Sequence, residues 1–211
     1  MAKIKILVAD DHPIVAEGLR SLLELTFEVV AIVENGRELI ATAKKLKPDV
    51  IVVDISMPLL NGIDAVNQIR SEGLKAKIIF LTMHTETNYA RRALAEGASG
   101  YVLKHSASNE LLFAIQQALA GRTFVTSTVA ARIEHTRAAE KASLNALEEL
   151  TVRQREVLQL LAEGHSATEI SSILNLSRRT IEYHKYHLME ILGLHKSAEL
   201  IQFAIQHGLV L

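Results

Sequence analysis

The strongest constraint on this chain is a strict alternation of two kinds of segment over its first half. Apolar, strand-like runs at residues 4–9, 29–33, 50–53, 78–81 and 101–103 are each followed by a helix-like stretch, at 14–25, 37–46, 62–71, 88–96 and 109–120. Parallel strands need long crossover connections, most often helices. Five strand–helix repeats therefore predict an α/β fold on a five-stranded, doubly wound parallel sheet. Runs such as Ile-Lys-Ile-Leu-Val and Ile-Val-Val are close to continuously apolar rather than alternating, which suits strands covered on both faces.

The pattern changes after Gly121. Residues 122–149 show no strand-like run; Val129, Ile133 and several alanines suggest a linker that is partly helical. From Leu150 onward every signal is helical. Thr151-x-x-Gln154 and Ser166-x-x-Glu169 are capping boxes, in which a hydroxyl accepts from the backbone three residues on while that residue's side chain reaches back. Gly164 closes the first of these helices. Asn175-Leu176-Ser177 breaks the second, and Ser177 caps a third over 178–192 with Gly193 beyond it. A last helix is expected over 197–207, before Gly208. The organisation expected is a sheet domain at 1–121, a linker at 122–149 and a smaller all-α domain of four helices, including a helix-turn-helix, at 150–211.

Composition removes several classes of function. With no cysteine among 211 residues, disulfide frameworks, thiolate nucleophiles and cysteine-ligated metals are excluded. A formal charge of −1 with 49% hydrophobic residues is unlike a disordered polyelectrolyte. No apolar run approaches the ~18–20 residues of a membrane span. The N-terminus runs straight into a strand pattern without a signal-peptide cleavage motif, so a cytoplasmic protein that does not engage membranes is expected.

Ligands of open parallel sheets bind beyond the carboxyl ends of the strands, near the point where strand order reverses. The polar residues at those ends are Asp10 and Asp11, Asp54, Thr82 and Lys104. Adjacent carboxylates repel unless a cation holds them, and an all-oxygen ligand set favours Mg²⁺. A carboxylate beside Mg²⁺, with a lysine and a hydroxyl to hold phosphate oxygens, makes a phosphoryl-acceptor site. Taken singly, each residue has a plainer role. An aspartate after a strand ordinarily caps the next helix, as Asp10-Asp11 would with Pro13 at the first helical position. Thr82 would do the same, and a lone Lys104 would be solvated. Their joint placement favours the site.

These residues also carry a family resemblance. Asp10-Asp11-His12-Pro13, Asp54-Ile55-Ser56-Met57-Pro58 leading to Asn61-Gly62, Leu81-Thr82, and Gly97-Ala98-Ser99-Gly100-Tyr101-Val102-Leu103-Lys104 resemble the flavodoxin-like receiver domain of two-component response regulators. The resemblance implies that Asp54 accepts the phosphoryl group. It implies that Asp11 is the main Mg²⁺ carboxylate, with Asp10 acting through water, Asp54 itself, and the Ser56 carbonyl as a further ligand. Thr82 and Tyr101 would be a switch pair, Thr82 moving toward the phosphoryl group and Tyr101 turning inward behind it, with Lys104 bound to phosphoryl oxygens. Many receivers place proline after the lysine, often with a cis peptide; here the residue is His105.

The all-α region has its own chemistry. At ~100° per residue, Ile181, Leu188 and Leu192 share one face of the third helix, with His184 and Ile191 near it. His184 is expected to be a packed, hydrogen-bonded histidine. Arg179, Glu182, Tyr183, Tyr186, His187 and Glu190 lie on the opposite face, where a base-reading helix needs hydrogen-bonding side chains. Spacing alone fits equally a small bundle that docks another protein. Leu150-Thr151-x-Arg153-x-Arg155-Glu156-Val157-Leu158, Gly164-x-Ser166, Glu169-Ile170, Leu176-Ser177, Thr180-Ile181-x-x-His184 and Leu192-Gly193-Leu194 are similar to the LuxR-type domain that accompanies receivers in the NarL/FixJ family. The resemblance implies DNA contacts by Arg178, Arg179, Thr180, Glu182, Tyr183, Lys185 and Tyr186. Glu182 departs from the lysine common in the family. Residues 151–211 hold six Arg or Lys against six Asp or Glu, an unusually neutral balance for a DNA-binding domain that fits binding as a dimer.

The function expected is a transcription factor controlled by phosphorylation of Asp54. Its partners would be a sensor histidine kinase, a second copy of the chain on activation, a two-fold-related DNA site, and RNA polymerase as a further contact. Slow autodephosphorylation is expected, without a catalytic function of its own. A magnesium-dependent phosphohydrolase with an aspartate nucleophile is the enzymatic rival. Such enzymes usually need a second acid just beyond the nucleophile, where this chain has Ser56. A helical domain that docks a protein is the other rival.

Overall fold

The computed structural model describes residues 3–135, 147, 149–207 and 209–210. The chain divides into two compact units, residues 1–139 and 140–211.

The first unit carries the alternation through. Its elements are β1 (Lys5–Ala9), α1 (Pro13–Leu23), β2 (Glu28–Val33), α2 (Gly36–Leu46), β3 (Val50–Val53), α3 (Gly62–Ser71), β4 (Lys77–Thr82), α4 (Thr87–Ala95), β5 (Gly100–Leu103) and α5 (Ala107–Leu119). These strands pair in parallel in the order β2-β1-β3-β4-β5, so strand order reverses between β1 and β3. Register aligns the strand ends: Ala9 pairs with Val33 and Val53, and Thr82 pairs with Leu103. Asp10, Asp54 and Lys104, each the next residue after its strand, are thereby delivered to one edge.

Two apolar layers sandwich the sheet. Leu7, Ile51, Val53, Ile78 and Phe80 face a layer with α2, α3 and α4. Ile6, Val8, Val52, Ile79 and Leu81 face a layer with α1 and α5. β1, β3, β4 and β5 thus alternate between two buried faces, which is why their runs look continuously apolar, while β2 is half-buried at the sheet's edge.

Among the described residues the sheet has six strands, not the five expected. β6 (Phe124–Val125) pairs with β5, Gly100 opposite Phe124 and Tyr101 opposite Val125. Two residues are too few to give a periodic signal. After β6 comes α6 (Ser127–His135), whose Val129 is 1% exposed within the first core. Arg91 on α4 donates to the Ile133 carbonyl at 3.2 Å. Residues 124–135 are therefore packed on the first unit, and the division between units falls well past Gly121. The rest of the expected linker, 136–146 and 148, lies outside the described residues.

Among its described residues the second unit has the helices α7 (Val152–Ala162), α8 (Ala167–Leu174), α9 (Arg178–Ile191) and α10 (Ser197–Gln206). Both expected capping boxes form, and the Ser177 hydroxyl accepts from the Thr180 amide at 3.1 Å. Gly164 and Gly193 take positive φ after α7 and α9, where a side chain would be strained. Gly208, the expected stop of the last helix, lies outside the described residues. The core includes Val157, Leu158, Ile170, Leu174, Ile181, Leu188, Leu200 and Ala204. Among the described residues no helix is long and apolar enough to cross a membrane.

Candidate phosphoacceptor site and nucleic-acid interface

Asp54 leaves β3 at the reversal of strand order and is 3% exposed. Its loop is held down by a close backbone approach. The Gly62 amide donates to the Ile55 carbonyl at 2.8 Å, and a Cβ on Gly62 would lie 1.9 Å from the Asp54 carbonyl oxygen. Asn61 caps α3 by accepting from the Asp64 amide, and buried Asp64 is paired with Arg92 of α4 at 2.6 Å. The loop after Asp54 is thus anchored on α3, which Asp64 pairs to α4.

Lys104 Nζ lies 2.7 Å from Asp54 Oδ2 and 2.9 Å from Asp10 Oδ2, with the lysine side chain only 9% exposed. One cation therefore bridges two buried carboxylates. Burial pushes the Asp54 carboxyl above its ordinary value; the Lys104 hydrogen bond and charge pull it down, while Asp10 adds to the rise. For Lys104, burial pulls the ammonium down, but Asp54 and Asp10 outweigh it and raise the value. The lysine is thus firmly cationic.

Asp10, Asp11, His12 and Asp54 each place a potential ligand atom within 4.8 Å of the others. Asp11 Oδ1 is buried and takes no hydrogen bond, although His12 Nδ1 lies 2.8 Å away. An acidic set with an unsatisfied buried oxygen fits a hard divalent cation such as Mg²⁺. The Ser56 amide faces Asp54 Oδ1 at 3.4 Å, which puts Ser56 at the rim of the same group.

Thr82 is fully buried, and its Oγ1 accepts from the His84 amide at 3.2 Å rather than meeting Asp54. Tyr101 is also fully buried, its ring already inward, and its hydroxyl donates to the His84 carbonyl at 2.9 Å. Burial, with the charge of Glu86, pushes the Tyr101 phenol far above its ordinary value, so it stays a donor. His84 therefore joins the expected pair, and its Nε2 lies 2.7 Å from Ser56 Oγ. Its ring stacks on Tyr89, centroids 4.1 Å apart. Burial lowers the His84 imidazole toward the neutral form.

Sequence reasoning missed the site roles of His12, His84 and Tyr89. His12 was signalled by its place after two acids; nothing in sequence marks His84 or Tyr89. At His105, where receivers often carry proline, Lys104–Ser106 forms a short 3-10 turn, and no described peptide bond is cis.

In the second unit, α9 buries Ile181 and Leu188 fully and exposes Tyr183 by 64% and Tyr186 by 67%. Arg178 and Arg179 are exposed; Thr180, Glu182 and Lys185 are half-buried. The Thr180 hydroxyl is engaged with Ser177 Oγ at 2.7 Å. Lys185 sits four residues after Ile181, on the side of the buried stripe, and so apart from the outward stripe of Arg179, Tyr183 and Tyr186. His184 departs from expectation: its Nδ1 is buried without a hydrogen-bond partner. Burial, followed by the charges of Arg153 and His187, lowers its imidazole.

Comparison with known proteins agrees with both halves. Residues 6–116 match the response regulator receiver domain, and residues 148–204 match the bacterial regulatory proteins of the luxR family. The chain belongs to the response regulator family. This response regulator is 34% identical to the transcriptional regulatory protein MctR of Rhizobium johnstonii, over 99% of this chain and 96% of that one. It is 30% identical to the response regulator UvrY of Escherichia coli, over 98% of this chain and 95% of that one. Among solved structures, RcsB of Salmonella enterica serovar Typhimurium, bound to a promoter in the presence of the phosphomimetic BeF₃⁻, superposes with a TM-score of 0.64 at 31% identity, covering 95% of this chain and 98% of that one. A LuxR-family response regulator from Aurantimonas sp. gives 0.62 at 38% identity over 64% of this chain and 99% of that one. The protein is a two-component response regulator with a receiver domain and a LuxR-type DNA-binding domain.

Proposed function

We propose that Asp54 is the residue phosphorylated by a sensor histidine kinase, and that this event controls DNA binding by the second unit. The observation that carries the proposal is the Lys104 ammonium bridging buried Asp54 and Asp10 at 2.7 and 2.9 Å. A nucleophilic carboxylate held beside a fixed cation and an acidic metal group suits transfer of a dianionic phosphoryl group. An Asp54 oxygen attacks the phosphorus, the bond from phosphorus to the donor nitrogen breaks, and an acyl phosphate forms. Asp10, Asp11, Asp54 and the Ser56 carbonyl are the residues that would hold Mg²⁺. That ion supplies charge neutralisation when bound. Lys104 exchanges its carboxylate contact for a phosphoryl oxygen, and Thr82 gives up the His84 amide to reach another.

The acyl phosphate biases the receiver because it interacts differently with two states of the Thr82–His84–Tyr101 chain. The biased state favours a homodimer that reads a two-fold-related site. In that reading Arg178, Arg179, Thr180, Glu182, Tyr183, Lys185 and Tyr186 are the DNA contacts, Lys185 from the flank of the helix. RNA polymerase is then a further partner, the cytoplasm the working compartment, and slow hydrolysis of the acyl phosphate the reset. The phosphoacceptor role of the receiver lies in 1–121, and 122–149, whose β6 and α6 pack on that unit, leads on to the DNA-binding domain at 150–211.

The test is labelling with a small-molecule phosphodonor in Mg²⁺. Wild-type protein should take up one acid-stable, base-labile phosphoryl group, and Asp54→Asn should take up none. A full-strength label on Asp54→Asn would show that another residue is the acceptor.

A further inference from the structure

The outward stripe of α9 contains a residue outside the contacts assigned above, His187. Its ring lies nearly parallel to that of Tyr183, at 21° with centroids 5.8 Å apart. Its Nδ1 is 3.3 Å from Glu190 Oε2. An ionised carboxylate only accepts, so Nδ1 carries the hydrogen in this contact. In a neutral imidazole with Nδ1–H committed, Nε2 is left as an acceptor. The Glu190 side chain is 80% exposed, and a surface pair of this kind contributes little to folding. Its consequence is orientation: the ring plane is set by Tyr183 and the tautomer by Glu190.

The charge balance of the unit gives that orientation a use. Six basic and six acidic residues in 151–211 provide little general attraction to phosphates, so recognition depends on directional contacts. In the major groove only cytosine and adenine present an exocyclic amino donor. Tyr183, His187 and Glu190, spaced four and then three residues apart, fall on the helix face that carries exposed Tyr186.

We infer that His187 is a specificity-determining residue. Its Nε2 accepts a hydrogen bond from the amino group of a cytosine or adenine, and Glu190 and Tyr183 act as positioning residues. The inference rests on α9 being the DNA reader.

The test uses full-length protein with a phosphodonor: selection from random DNA, then titration of the selected site and of single-base changes. Wild type should require cytosine or adenine at one position of each half-site, with a loss of about 5- to 10-fold for the wrong base, the low end for a base contact because one hydrogen bond is involved. His187→Ala should lose that preference and keep the others. Glu190→Ala should weaken it, whereas Glu190→Gln should retain it, because the carboxamide oxygen still accepts from Nδ1–H. Thermal melts of all three should match wild type. Selection of the same bases at every position by His187→Ala would overturn the inference. So would a His187-dependent preference for guanine, which requires a donor. Relaxation in His187→Ala with none in Glu190→Ala would remove Glu190 from it. Failure of wild type to select any DNA would instead overturn the reading of α9 itself.

Discussion

Replacing Lys104 by Met removes the one cation between Asp10 and Asp54 while keeping most of the apolar stem. The two carboxylates are 1% and 3% exposed, so neither can regain solvation without opening the site. Breaking a buried ion pair strands charge and costs about 3–5 kcal/mol. A single lysine serves both acids, so that cost is counted once. Against a typical domain stability of about 5–15 kcal/mol, the receiver would be left marginal at pH 7 without metal. Two conditions should restore it. A divalent cation at about 100 times its Kd returns about 2.7 kcal/mol by mass action. Acid should act in the same direction. Asp54 is already raised by burial, and losing Lys104 removes the main influences that hold it down. A carboxyl with a folded value above its unfolded one binds more protons in the folded state, so stability is gained as pH falls from neutral through the folded value. Urea titrations followed by circular dichroism, at pH 7 and pH 5.5, with EDTA or with Mg²⁺, measure all of this for the variant with wild type in parallel. If Lys104→Met lies within about 1 kcal/mol of wild type in EDTA at pH 7, or falls further behind it toward pH 5.5, the electrostatic reasoning is wrong.

Lys104→Ala, once folded in Mg²⁺, should still accept phosphate but show little phosphorylation-dependent change in DNA affinity, read by titration with and without phosphodonor. Leu188→Ala should destabilise the second unit by about 2–5 kcal/mol, because the side chain is fully buried, while Arg179→Ala and Tyr183→Ala should melt normally and lose specific DNA binding. Glu182→Lys should raise general DNA affinity, steepen its salt dependence and relax base choice, as measured on specific and random duplexes from 50 to 200 mM salt. His184, held below its ordinary value by burial, contributes stability that is complete above the unfolded pKa of about 6.5 and is lost as pH falls toward the lower folded value. His184→Gln should therefore flatten the decline of the second unit's melting temperature between pH 7 and pH 5.

The fold was legible where a signal repeats. Five strands and their helices are located within two residues at each boundary, because the strands are short apolar runs and the helices between them carry periodic apolar faces. The capping boxes at Thr151 and Ser166 were legible because their chemistry is local in sequence. β6 was not, because Phe124 and Val125 become a strand only through the backbone of Gly100 and Tyr101. The acidic group and Lys104 were legible as residues at strand ends, and parallel register then brings them together. His84 was not: its roles come from main-chain and ring contacts with Thr82, Tyr101, Ser56 and Tyr89, none of which leaves a mark in sequence. His184 was placed on the correct face but with a hydrogen bond it lacks, since periodicity reports burial and not partners.

The most direct measurement is DNA affinity of the full-length protein on its selected site, titrated in Mg²⁺ before and after a small-molecule phosphodonor, for wild type and Asp54→Asn in parallel. Coupling between the two sites typically amounts to about 1–3 kcal/mol, so wild-type affinity should rise about 5- to 150-fold on phosphorylation and Asp54→Asn should not respond. A wild-type affinity unmoved by the donor while Asp54 is stoichiometrically phosphorylated, or an equal rise in Asp54→Asn, would contradict control of DNA binding through Asp54.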